Sequence, residues 1–255
     1  MKFKPYLVAP VLFLLCLLAL VATWAAMAPA ALRAFFDANG CSPFELATLP
    51  FFAAIVPLVW WKCPFTGSSR RRTLLCAAVS CVALMAIVKE LDLHVVLMRV
   101  LFPDVVGIDG SVYGLVKPNG APLGGTPFKM RFLTNAGAPP AAKAVVLLYF
   151  GALFGVFAAL LAYFFPALVR GFFALNPVAW TMCCFGTSGV MVQVCDRMPA
   201  WLRHARGLPK AEGVDALSAL FTALEEGGEM MIALFALLAI VQAHAIYGDG
   251  ESGAD

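Results

Sequence analysis

Apolar residues in this chain fall in long continuous runs, and polar residues are confined to the gaps between them. Runs over residues 6–27, 43–61, 73–94, 141–165 and 177–195 each reach or approach the length of a membrane span, for which a helix needs about 20 apolar residues. A further run over 214–247 is too long for one span. Thr222-Ala223-Leu224-Glu225 offers a capping box inside it. The run therefore divides into a short interfacial helix over 215–221 and a sixth span over 223–244. None of the runs shows the short alternating segments of a transmembrane barrel. The pattern predicts an all-α integral membrane protein: a single six-helix transmembrane bundle over residues 1–247, then an acidic, disordered tail over 248–255.

Local signals place several boundaries. Ser42-Pro43-Phe44-Glu45 has serine at an N-cap, proline at the first helical position and glutamate three residues after the cap. Asn176-Pro177 marks the start of the fifth span in the same way. Pro57 is expected to kink the second span and Pro166 to stop the fourth. Between the third and fourth spans lies an external loop of roughly 45 residues, rich in glycine and proline. Lys117-Pro118-Asn119-Gly120 predicts a turn in it, flanked by short strands over 111–116 and 127–133. Its apolar and aromatic residues predict that it folds down onto the bundle. In the fifth span, Gly186-Thr187-Ser188-Gly189 reads as a close helix-packing surface, with a broken helix as the alternative.

Composition agrees with this pattern. Hydrophobic residues make up 62% of the chain and charged residues 13%, against about a quarter charged in average soluble domains. The net charge of +3 is small, and the dense basic run Arg70-Arg71-Arg72 lies in a short loop with Lys62. That placement is the positive-inside pattern rather than a nucleic-acid surface. With Lys2 and Lys4 it predicts a multi-pass protein of the bacterial inner (plasma) membrane with both termini cytoplasmic. Arg197, Arg203, Arg206 and Lys210, in a predicted outer loop over 196–213, run against that orientation. The first apolar run exceeds the 7–15 residues usual for a signal peptide, so it is read as a retained helix. The eight cysteines contain no CxxC pair, and Cys16, Cys76, Cys81, Cys183 and Cys184 read as small packing residues. Cys41 and Cys195 both fall on the outer side and are a candidate disulfide.

The candidate chemistry sits where ionisable residues interrupt the apolar pattern. The third run closes on Lys89-Glu90-Leu91-Asp92-Leu93-His94, and the sixth opens with Glu225-Glu226-Gly227-Gly228-Glu229. On one continuous helix Glu90 and His94 share a face, as do Glu225 and Glu229, and Lys89 can meet Asp92. Counted from the predicted helix ends, Glu90 and Glu229 fall at nearly the same depth. Glu45, Glu225 and Glu226 have a bland explanation, since acids suit a helix N-terminus. Glu90 and Asp92 do not, because the helix dipole disfavours acids at a C-terminus, and ionisable residues inside spans mark functional sites by default. Glu229 lies beyond the cap and behind two glycines.

Carboxylates beside a histidine suit general acid–base work or cation binding. Of the three histidines, only His94 lies near a cluster, and no HxxxH or HExxH occurs. A zinc hydrolase is therefore weakly indicated, and no cofactor is named by the sequence.

Lys89-Glu90-Leu91-Asp92-Leu93-His94 resembles a helix-closing pattern in a group of uncharacterised bacterial multi-spanning inner-membrane proteins. There a basic residue, Glu, an apolar residue, Asp, an apolar or aromatic residue and His follow in order. Glu225-Glu226 matches a later acidic pair that opens their last helix, and Phe128-Lys129-Met130-Arg131-Phe132 is similar to a basic-aromatic stretch in their connecting loop. The resemblance implies that these clusters belong together and brings no activity with it.

The expectation is thus a membrane-embedded enzyme or binding protein for a lipid or lipid-linked headgroup. Glu90, Asp92, His94 and Glu229 would carry acid–base or cation-binding chemistry. Lys89, Glu225, Glu226, Lys129 and Arg131 would bind the ligand. An ion-coupled transporter and a structural or assembly subunit are the alternatives.

Overall fold

The computed structural model describes residues 4–36, 42–63, 65, 67–107, 111–116, 123, 126–205 and 216–247. The predicted turn at 117–120, the tail, Cys41, Arg206 and Lys210 lie outside them. The protein is helical, with six helices long and apolar enough to cross a membrane. Val106 and Val112 form an isolated antiparallel β-bridge.

A 3-10 turn, Pro5–Leu7, leads into α1, Val8–Ala26. Then follow α2, Pro29–Phe36; α3, Pro43–Lys62; α4, Ser69–Glu90; α5, Leu93–Leu101; and α6, Met130–Leu133. The chain ends in three long helices: α7, Pro140–Phe173; α8, Pro177–Ala205; and α9, Ala216–Tyr247.

Several boundaries differ from the sequence expectation, each for a local reason. α4 stops at Glu90 instead of His94, because Asp92 takes a left-handed conformation with φ 49°. α7 runs through Pro166 to Phe173 and α8 through Pro199 to Ala205, so neither proline ends its helix. Asp196 and Arg197 therefore lie on α8 and pair at 3.1 Å, rather than in a loop. α9 is one helix from Ala216, not an interfacial piece and a span. The Thr222 hydroxyl donates to the Ser218 carbonyl one turn back, so it is committed to the helix interior instead of capping a new start. The strand expected over 127–133 is instead the short helix α6. The Ser42–Glu45 capping box is formed: Ser42 Oγ accepts from the Glu45 amide at 3.0 Å, and Glu45 Oε2 accepts from the Ser42 amide at 2.7 Å.

The chain divides into two compact units where the sequence suggested one bundle. The first comprises Met1–Leu84 and Ala162–Asp255, the second Met85–Leu161. In the first unit α9 is the central helix, packing on α1, α2, α3 and α8. Small residues permit this. A Cβ at Gly227 would lie 2.4 Å from Leu20 Cδ1 of α1, and one at Gly228 would lie 2.7 Å from Val192 Cγ2 of α8. Polar ties lock the same helices. Thr181 Oγ1 donates to Gln242 Oε1 at 2.6 Å, and the Trp24 indole N–H donates to the Ala216 carbonyl at 2.7 Å. Trp60 Nε1 donates to Ser80 Oγ at 2.9 Å, joining α3 to α4. Gly186 and Gly189 on α8 have open space where a Cβ would stand, and the helix is unbroken there. Ser188 between them is fully buried, and its carbonyl would lie 3.6 Å from a Cβ at Gly228, so the stretch packs on α9 through the serine rather than the glycines and forms no break.

The second unit has its own apolar core. Val95 and Met98 of α5, Phe132 of α6 and Ala142 and Val146 of α7 pack together with Val105, Val106, Val112 and Leu123. The described residues of the long connection thus pack with α5 and α7 through their own hydrophobic side chains.

Candidate functional site

In the second unit the Lys89–His94 cluster is built on a joint between two helices. The amide of Asp92 donates to the Lys89 carbonyl at 3.0 Å, closing α4. The Asp92 carbonyl then accepts from the Val95 and Val96 amides at 2.9 and 3.0 Å, opening α5. Aspartate is among the few non-glycine residues that tolerate the left-handed region, at a helix end above all. The aspartate that the helix dipole could not explain is therefore explained by the turn. Its side chain is 56% exposed. The break also means that helical spacing no longer relates Glu90 to His94.

Glu90 is different. Its side chain is only 4% exposed, and Lys89 Nζ lies 3.1 Å from Glu90 Oε1. The lysine is itself 52% exposed. A buried carboxylate is sustained only by such charge-assisted partners.

His94 is held by rings and by backbone. Its imidazole lies nearly parallel to Tyr149 at 5.6 Å between centroids, and Phe128 stands edge-on to it at 4.5 Å. Phe128 and Tyr149 also meet each other at 5.2 Å. Nδ1 lies 3.3 Å from the Val88 carbonyl, which only accepts, so Nδ1–H is the donor there. That tautomer leaves the Nε2 lone pair open, 4.0 Å from Asp92 Oδ1. Burial pushes the His94 pKa below its ordinary value near 6.5. The Val88 bond and Asp92 pull it back up, and Lys89 pushes it further down. His94 is consequently a neutral, oriented base at neutral pH.

Lys129 precedes α6 and is exposed, whereas Phe132 is fully buried and anchors that short helix in the core. Arg131, between them, lines a cavity of about 600 Å³ in the second unit. Its Nε is buried and has no hydrogen-bond partner among the described residues. The sequence marked the basic-aromatic stretch 128–132; the roles of Phe128 and Tyr149 around His94 were not foreseen, and no spacing rule points to them.

In the first unit Glu225, Glu226 and Glu229 lie within α9, with no acid in its first turn. Glu225 is nine residues beyond Ala216, so the capping and dipole explanation fails for it and for Glu226. Glu229 is 9% exposed and thirteen residues into the helix. Placing a charged side chain deep in a span costs about 3 kcal/mol on insertion scales. Cys195 is buried with a free thiol, and its candidate disulfide partner Cys41 lies outside the described residues.

Comparison with protein-family models, with curated proteins and with solved structures finds no match for this chain.

Proposed function

We propose that this polytopic membrane protein is an enzyme or binding protein for a lipid or lipid-linked headgroup, resident in the bacterial inner membrane with both termini cytoplasmic. The observation that carries the reading is His94. A neutral imidazole with an open Nε2, clamped between Tyr149 and Phe128 just past the end of the α4 span, is built to take or share a proton. Glu229 adds a buried carboxylate within another span, the second place where ionisable chemistry survives in apolar surroundings. Glu90 is a second acidic group kept from water. Asp92 serves mainly as the left-handed joint that positions His94.

The test is direct. The full chain is reconstituted into nanodiscs of total bacterial polar lipids, and mass spectrometry follows which headgroup class is retained or converted. The wild type should select one class. His94→Asn and Glu229→Gln should each reduce that selection at least tenfold with helicity unchanged. A wild type that treats all classes alike would overturn the reading. Reporter fusions at the two termini test the orientation: activity of a periplasm-dependent reporter at either end would reverse it.

A further inference from the structure

The cavity beside α6 has a polar character of one sign. Among the described residues its lining carries Arg131 and no acidic side chain. The other polar side chains there are committed to holding the turn. Asn135 Nδ2 donates to the Val116 carbonyl at 2.7 Å, and Asn135 Oδ1 accepts from the Gly137 amide at 2.9 Å. The Thr134 hydroxyl donates back to the Met130 carbonyl at 3.2 Å. The backbone closes the same turn, through Asn135 N–H to the Phe132 carbonyl and Ala138 N–H to the Asn135 carbonyl. These bonds hold the turn on one side, and Leu115, Val116 and Leu123 make another wall apolar.

Arg131 sits on the short helix that lines this frame. The neighbouring Phe132 is fully buried and ties α6 to the core. Arg131 Nε is buried and has no hydrogen-bond partner among the described residues. A guanidinium presents a planar fork of donors that matches the oxygens of a phosphate two at a time. A buried donor left unsatisfied is costly, and an anion in the cavity would satisfy it.

We propose that this cavity is a binding site for a phosphate group, with Arg131 as its anchor. The apolar wall suits the hydrocarbon that accompanies such a group in an anionic lipid. The inference rests on the headgroup reading above and names the part of the headgroup that is bound.

The experiment titrates the full chain, in neutral detergent, with three probes by calorimetry: dihexanoyl phosphatidic acid, inorganic phosphate and dihexanoyl phosphatidylcholine. The wild type binds phosphatidic acid saturably and at least tenfold more tightly than phosphatidylcholine. Arg131→Gln weakens that binding at least tenfold, and Arg131→Lys by less. Arg197→Gln, at an exposed ion pair on α8, leaves it unchanged. Ala136→Trp, which fills the cavity while keeping the arginine, also abolishes binding and guards against a fold defect in the arginine variants. Equal affinity for inorganic phosphate identifies free phosphate as the ligand; much weaker phosphate binding identifies the lipid. No saturable binding of either phosphate probe, or full affinity in Arg131→Gln, overturns the proposal. Binding is read without turnover, so intact phosphatidic acid binding in His94→Asn with headgroup conversion lost separates this site from the proton-transfer reading.

Discussion

The two acidic regions look alike in sequence and are built in opposite ways. In the second unit the helix ends among its charges: α4 stops at Glu90, Asp92 turns left-handed, and α5 begins. Asp92 stays exposed, and the joint swings His94 against Phe128 and Tyr149. In the first unit α9 runs through its charges without interruption, and Gly227 and Gly228 draw α1 and α8 onto the same turn. A charge at a break needs little explanation beyond the break. A charge buried in an unbroken span has no such local excuse, which makes Glu229 the most informative acid in the chain.

Function should separate the two regions most widely. Glu229→Gln is expected to lower headgroup selection at least tenfold, and Asp92→Asn, which keeps the left-handed joint, less than threefold. A larger loss in Asp92→Asn would make the joint carboxylate chemical rather than architectural.

Packing comes next. Gly227→Val and Gly228→Val press side chains into Leu20 and Val192, and overpacking of this kind costs about 1–3 kcal/mol. Gly186→Val and Gly189→Val meet open space on α8 and should stay within about 0.5 kcal/mol of wild type. Equal destabilisation of both pairs in denaturant titrations would contradict the placement of α9 at the centre of its unit. The smallest effect concerns the joint. Asp92→Gly should be neutral or slightly stabilising, while Asp92→Val should lose about 1–2 kcal/mol, because only the branched side chain clashes in the left-handed region.

How much of this was legible in the sequence follows from the range of each interaction. The six spans were, since continuous apolar runs have few alternatives. So was the Ser42–Glu45 cap, which is a contact between residues three apart. The Thr222–Glu225 motif has the same spelling and does not cap, because packing of α9 on its neighbours outweighs a local stop signal. The break at Leu91-Asp92 carries no glycine or proline to announce it. The ring pair around His94 joins positions 34 and 55 residues away, beyond any periodicity. Charge alone marked Arg131; the cavity and the committed roles of Thr134 and Asn135 required the folded turn.

His94 supplies the most direct test. Its folded-state pKa is depressed, so the folded chain binds fewer protons than the unfolded one. The neutral form therefore stabilises the fold fully above the ordinary histidine value near 6.5, and that contribution is lost as pH falls below it toward the lower folded value. If neutral His94 is the working base, headgroup selection measured across pH should hold on the acid side past 6.5 and then fall through a single protonation. His94→Asn should abolish that acid limb along with the selection. A wild-type profile that is flat across the range, or an acid limb that persists in His94→Asn, would contradict the account.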